Sequence, residues 1–439
     1  MENMKLNRRE FLRNSAASGL AVALAGAIPG KAGDSLKNEV RLGFVGVGSR
    51  GTVLLRFALM TDGVEIPALC DINEEHLSRA QRLVERSGRK IPDGYSKGPE
   101  DFRRLVERPD LDAVVVATPK EWHTPVMMAA MEAGKYGGTE VPASTSVDEC
   151  WQLVETSERT GKPCMMLENY CYFRNVMMVL NMAQQGLLGD ILHCETGYQK
   201  DERMFAVGED GQLSLGGKYM TSHTGNLYPT HAVGPAGVLL KVNRGDRFSY
   251  LVSMTTRSSS LPSYLYEKLG PGNPVAGTRF ADGDINTTMI RTENGSTVIL
   301  YYDTRCARPW EPDLRIQGSK GIFMGNMDRI YVEGRSAKEN AWESTEKYYQ
   351  EFEHPLWRKH GNKDIPYGRG VCDFLALEQF VQAVRKRTEP PLDVYDAASW
   401  SVITQLSGQS VDNKSTAVDF PDFTRGKWKN AREFNYFEA

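Results

Sequence analysis

The sequence predicts two architectures in succession. The first is an open parallel α/β sheet wound by helices; the second is an α+β unit with an open, mostly antiparallel sheet and helices on one face. Three observations predict this. A short apolar strand, Val40 to Val45, runs into Gly46-Val47-Gly48-Ser49-Arg50-Gly51 and then into a helical pattern from Thr52 to Met60. A continuous apolar run, Ala113-Val114-Val115-Val116-Ala117, suits a parallel strand buried on both faces. Far downstream, Glu293-Asn294-Gly295-Ser296 separates two alternating runs, and Asn-Gly in that place signals a hairpin.

The elements follow in order. A strand from Glu65 to Leu69 ends in Cys70-Asp71, and Glu74 to Ser87 reads as an amphipathic helix. Phe102 to Val106 is a short helical piece before the Val-rich strand, which Thr118-Pro119 ends. A helix over 125–133, a weak strand over 137–142, a helix over 147–160 and a strand over 163–167 complete the first half. The second half has a helix over 175–185 and strands over 191–198, 248–256, 286–291, 297–303, 314–317, 321–324 and 329–332. Helices over 372–387 and 397–407 follow, so strands precede helices as in an α+β fold. The expected division is 1–35 as a leader, 36–165 as the first domain and 166–439 as the second, with the C-terminal segment packing back on the first.

Composition narrows the function. Of 439 residues, 53 are Lys or Arg and 56 are Asp or Glu, a net charge of −3 that argues against a nucleic-acid binder. Hydrophobic residues at 41% and charged residues at 25% fit a folded protein. Seven cysteines, an odd number, do not make a disulfide framework, and neither C-x2-C nor H-E-x-x-H spacing points to a metal. The N-terminus has the three parts of an export signal: Asn7-Arg8-Arg9-Glu10-Phe11-Leu12, then an apolar run of small residues from Ala16 to Ile28. The Arg8-Arg9 pair resembles a twin-arginine signal, which carries folded proteins, so the expected location is the periplasm. No later segment reads as a membrane span.

The glycine loop predicts a dinucleotide-binding, Rossmann-type first domain. Gly46 permits the tight turn, Gly48 lets a pyrophosphate reach the backbone, and Gly51 packs helix on strand. The N–H groups of the helix start, at Ser49 and Arg50, complement the phosphates. Asp71 stands 20 residues beyond Gly51, where an acid accepts from the adenosine ribose and favours NAD over NADP. In the second half the densest polar stretch is Ser222 to Pro235. Within it Tyr228 and His231 lie three apart at the start of a helical run, and histidine is the side chain best placed to move protons near neutrality.

The order of glycine loop, acid, Thr118-Pro119 with nearby His123, then Glu140-Val141-Pro142 resembles the Gfo/Idh/MocA oxidoreductases. Most of that family have Glu-Lys-Pro at the last motif, with the lysine serving catalysis; here Val141 takes its place. Glu140-Val141-Pro142, Glu168-Asn169-Tyr170-Cys171-Tyr172 and Tyr228-Pro229-Thr230-His231 together resemble glycoside hydrolase family 109, NAD-dependent α-N-acetylgalactosaminidases on the same scaffold. The resemblance covers about 40 to 437. It implies NAD on Ser49, Arg50, Asp71, Lys120, Glu121, Trp122, His123, Glu140, Val141 and Asn169. It implies sugar contacts from Tyr198, Tyr228, Pro229, Thr230, His231 and Tyr302. A basic substrate residue is also implied between Tyr198 and Tyr228, with Lys218 the nearest candidate and Arg203 the other.

Two-carboxylate glycosidases need paired acids across the scissile bond, and no convincing pair stands out in the sequence. The resemblance implies another route: transient oxidation at sugar C3, C1–C2 elimination, water addition and re-reduction, with tightly bound NAD recycled in each turnover. That suits an exported protein, because the periplasm has no NAD pool. His231, Tyr228 and Tyr172 are the candidate catalytic groups. The expected substrate is an α-linked amino-sugar glycoside, and the open sheet could join two copies of the chain. The alternative is an NAD-dependent sugar dehydrogenase of the Gfo/Idh/MocA type.

Overall fold

The computed structural model describes residues 39–311 and 313–437. The leader expected at 1–35 lies outside them. The first sheet is fully parallel: β1 (Val40–Val45), β2 (Val64–Cys70), β3 (Asp93–Tyr95), β4 (Ala113–Val116), β5 (Tyr136–Thr139) and β6 (Cys164–Met166), in the order β3-β2-β1-β4-β5-β6. Chain order reverses between β1 and β4, so the crevice at their carboxyl ends is the place where an open α/β sheet binds ligands. Every residue of β4 is buried, as its unbroken apolar run requires.

The helices obey local signals. Helix Glu74–Arg86 starts where the Asn73 side chain accepts from the N–H groups of Glu75 and His76. Helix Val147–Thr160 is capped by Ser146 and stopped by left-handed Gly161. The helix expected from Pro125 begins earlier, at His123. Proline fits there because first-turn N–H groups have no intrahelical partner to lose.

The second sheet has nine strands: β7 (Ile191–Gln199), β8 (Phe248–Thr255), β9 (Ile285–Thr292), β10 (Thr297–Asp303), β11 (Leu314–Gly318), β12 (Gly321–Met324), β13 (Arg329–Val332), β14 (Glu343–Ser344) and β15 (Val418–Asp419). The order is β14-β13-β12-β11-β7-β10-β9-β8-β15. Every pair is antiparallel except β7 with β10. The β9–β10 hairpin turns at Asn294-Gly295, with Gly295 at φ +98°. Strand β9 alternates strictly between exposed and buried residues. Its buried face packs under helices, including Thr230–Leu239 on β7 and Ile403–Asp412 on β8. The other face leaves Leu192, Met254 and Met289 about half exposed or more.

Helix Ser260–Leu269 is not foreseen by the sequence. Its cap is tertiary: Asp284 accepts from the backbone N–H groups of Ser259, Ser260 and Leu261. Helix Val371–Lys386 lies on the first sheet's helix Ser49–Met60, so the C-terminal part of the chain packs against the front half. Residues near the end also return: Tyr436 Oη donates to the carbonyl of Cys171 at 2.6 Å. Among the described residues no helix is long and apolar enough to cross a membrane.

Candidate active site

Two cavities share the wall Ala117-Thr118-Pro119 at the end of β4. The smaller, about 390 Å³, is lined by the glycine loop, Asp71, Phe102, Trp122 and Val126. Its loop is built by the glycines. Gly46 has φ +84°, and a Cβ there would stand 2.6 Å from the carbonyl oxygen of Ala117. A Cβ on Gly51 would stand 2.0 Å from the carbonyl oxygen of Gly46. At Gly48 an added Cβ would meet only the His76 ring at 3.5 Å, so the backbone there stays approachable. Helix Ser49–Met60 has no side-chain cap, which leaves first-turn N–H groups for an anion.

Asp71 accepts from the N–H of Val47 at 2.8 Å and of Asn73 at 2.9 Å, one on each oxygen. Each oxygen keeps a lone pair for a ribose hydroxyl. Loop, acid and apolar slot fit an NAD with pyrophosphate on the loop and adenosine beside Asp71 and Trp122.

The larger cavity, about 600 Å³, gathers distant segments. Arg50, Lys120, Glu121, His123, Glu140 and Val141 line the cofactor side. Tyr198, Tyr228 and Tyr302 line the far side. The Arg50 side chain is bound to two carboxylates. Its Nε donates to Glu140 at 2.7 Å and its two Nη atoms donate to Asp373 at 2.9 and 2.8 Å. Burial alone would raise the Asp373 carboxyl, but the Arg50 hydrogen bonds and charge hold it below the usual range. Asn169 joins the same knot, donating to Asp373 at 2.6 Å, and its Oδ1 has no partner among the described residues. Val141-Pro142 is a cis peptide.

His123 is clamped, with Nδ1 2.7 Å from the carbonyl oxygen of Pro142 and Nε2 2.9 Å from that of Thr118. Burial lowers its pKa against the pull of those carbonyls. The ring therefore ties the β4 loop to the Glu140-Val141-Pro142 loop. Lys120 holds its ammonium 3.1 Å from the centre of the Tyr219 ring, and burial lowers its pKa to about 8.

Helix Thr230–Leu239 begins directly after Pro229 and is buried along its whole length. It presents His231 to a box of tyrosines. The imidazole stacks on Tyr170 at 4.2 Å and 8°, and lies 5.0 Å from both Tyr198 and Tyr228. Its Nδ1 stands 2.7 Å from Glu168 Oε1. Tyr198 Oη donates to Glu202 at 2.9 Å, and Tyr302 Oη accepts from Thr304 at 3.2 Å. Burial, then Glu140 and Glu168, push the Tyr228 phenol well above its usual pKa, so it stays a neutral donor. Thr230 is buried beneath the site, with its hydroxyl unpartnered among the described residues.

Two expectations need correction. Tyr172 is not brought to the cavity: it is fully buried in the main core against Tyr436, and its hydroxyl has no partner among the described residues. The ring that reaches His231 is Tyr170, two residues earlier, because 169–172 form a 3-10 turn that sends the two side chains to different sides. Lys218 is exposed on helix Leu215–Met220 and does not line the cavity. Arg203 is held by Asp201 and does not line it either. Trp122 lines the smaller cavity, beside the glycine loop and Asp71. Sequence reading missed Glu168, Tyr170 and Glu202 as site residues. The signal for the first two was their place at the carboxyl edge of β6; Glu202 had none.

An NAD-loop cavity joined to a wall of tyrosines, histidine and carboxylates defines a nucleotide-dependent enzyme acting on a polyol or sugar. Residues 40–168 match the oxidoreductase family with an NAD-binding Rossmann fold, and residues 172–430 match the glycosyl hydrolase 109 C-terminal domain. A glycosyl hydrolase family 109 protein of Stenotrophomonas maltophilia (strain K279a) is 38% identical, with 99% of each chain covered. An α-N-acetylgalactosaminidase of Tannerella forsythia is 37% identical, covering 97% of this chain and 98% of that protein. This chain belongs to glycosyl hydrolase family 109, as an NAD-dependent glycoside hydrolase. Among solved structures, a levoglucosan dehydrogenase in complex with NADH superposes with a TM-score of 0.69 at 19% identity, over 87% of this chain and 99% of that one. An inositol dehydrogenase homologue from Azotobacter vinelandii, complexed with NAD+, gives 0.65 at 17%, over 88% and 99%. These two show the shared fold.

Proposed function

We propose that the chain hydrolyses terminal α-linked N-acetylgalactosamine with NAD as a resident cofactor. The observation that carries this is the shared wall at Ala117–Pro119, which sets the NAD loop's cavity against one lined by Tyr198 and Tyr228, the rings that pack on His231. The activity named for the Tannerella forsythia relative supports the choice of sugar. Bound NAD supplies a reversible two-electron oxidation at sugar C3, which acidifies the C2 hydrogen so that the C1 substituent leaves by elimination. The chain's own residues do the rest. Tyr198, Tyr228 and Tyr302 offer aromatic faces and hydroxyls to the ring. His231 moves protons at the sugar, with Tyr228 as a neutral hydrogen-bond donor. Arg50 bridges Glu140 and Asp373, and its hydrogen bonds and charge hold the Asp373 carboxyl below its usual range.

The test is stoichiometric. Purified protein, given an aryl α-N-acetylgalactosaminide and no added NAD, should release the phenol without net NADH. NADH accumulating in proportion to free sugar would establish the alternative, a sugar dehydrogenase. Mass spectrometry of the native protein should find NAD retained through purification.

Two further readings belong with this one. Arg8-Arg9 supports twin-arginine export to the periplasm of an already loaded enzyme; changing both to lysine should keep the protein in the cytoplasm. The exposed apolar side chains on the open sheet support self-association through that face, and light scattering of Met254→Lys against wild type tests it.

A further inference from the structure

His231 is held by a carboxylate, Glu168, that takes no part in the proposed sugar chemistry. Glu168 is fully buried, and its Oε1 takes both His231 Nδ1 at 2.7 Å and the backbone N–H of Tyr170 at 3.0 Å. Its Oε2 is buried and has no partner among the described residues. The same short segment stacks the Tyr170 ring flat on the imidazole. One turn therefore sets both the plane of the histidine and its hydrogen bond. Helix Thr230–Leu239 lies so close that a Cβ on Gly234 would stand 2.9 Å from Glu168 Cγ. A carboxylate buried this far costs several kcal/mol unless a cation or donors answer it. Its one local task, capping the 3-10 turn at the Tyr170 N–H, needs an acceptor but not a charge.

We propose that Glu168 is the positioning residue of His231. Its carboxylate accepts the Nδ1 proton and fixes the ring in one tautomer. That leaves Nε2, which has no hydrogen-bond partner among the described residues, as the basic nitrogen. When Nε2 takes a proton, the buried anion balances the imidazolium, as an orienting acid does for the histidine of a catalytic triad. The catalytic consequence rests on His231 being the proton-transfer residue of the proposed function; the tautomer does not.

Nitrogen NMR of histidine-labelled, NAD-loaded enzyme tests both parts, with His231→Asn assigning the resonance. The wild type should show the Nδ1–H tautomer at His231, and Glu168→Ala should move it toward the Nε2–H form that free imidazole prefers. Glu168→Gln keeps the shape and an acceptor but removes the charge. It should retain NAD and fold, leave KM within about threefold and lower kcat by about 10²-fold or more. An Nε2–H tautomer in the wild type would overturn the proposal, as would Glu168→Gln with unchanged kcat on a substrate the wild type turns over. If no glycoside is turned over by the wild type, the proposed function fails while the tautomer still decides the positioning role.

Discussion

The two cavities that meet at Ala117–Pro119 are made of different materials. The smaller draws every lining residue from the stretch 45–126 and is mostly glycine, aliphatic and aromatic surface around one acid. The larger draws on residues from Arg50 to Thr304 and is walled by tyrosines, carboxylates and two cations, Arg50 and Lys120. A nucleotide's pyrophosphate is the same in every protein, so one loop–helix unit can bind it. A sugar's hydroxyls must be met one by one, so side chains are gathered from both sheets. The first cavity should therefore fail through single backbone-level changes, the second through loss of individual side chains.

The largest expected effect is on the sugar side. His231→Ala should lower kcat on the order of 10²- to 10⁴-fold. It should leave the retained NAD unchanged by mass spectrometry, because His231 lies in the tyrosine box. Loss of NAD in this variant would show that the two cavities are not separable. Next comes the cofactor side. Gly48→Ala has room for its one methyl beside His76, so the protein should fold, yet that methyl narrows the approach to the loop. NAD retained by the purified variant, and turnover with it, should fall about tenfold, while the melting temperature of the cofactor-free form is preserved.

A smaller effect is expected at Lys120, where burial holds the amine at about 8. Unfolded lysine titrates near 10.4, so between about pH 8 and 10.4 the unfolded chain binds more protons than the folded one. Stability from this group thus rises with pH across that window, and the charged form below it is the disfavoured state. Lys120→Met should be more stable than wild type at pH 7 and lose that advantage by pH 10. A difference in melting temperature that stays constant with pH would show an amine that titrates as in water. Least of all should Tyr172→Phe matter: its hydroxyl has no partner among the described residues, so kcat should change by less than about twofold. A large loss there would restore Tyr172 to the site in place of Tyr170.

Much of the fold was legible in the chain. The continuous Val114-Val115-Val116 run, the glycine loop and the Asn294-Gly295 turn each act within a few residues, and each forms the element its pattern implies. The candidate site was legible only in part. Tyr228 and His231 stand out as a motif, whereas Glu202 has no signal at all. Lys218 and Arg203 were nominated by order along the chain, and order does not say which side chains face a cavity. Tyr170 and Tyr172 are indistinguishable in sequence, yet a single 3-10 turn puts one against His231 and the other in the core.

By itself, then, the sequence determined the local parts: an NAD loop with its acid, the strand and helix order, the family, and a histidine beside a tyrosine. Those depend on short-range sterics and periodicity, which adjacent residues encode. Only the tertiary structure decided that Glu168 meets His231 across 63 residues, that Arg50 binds Glu140 and Asp373, and that Lys120 shares a cavity with Tyr198 and Tyr228. Those contacts exist because helices 230–239 and 371–386 pack back against the first sheet's edge and helix. The free energy of that packing comes from buried area rather than from any local pattern.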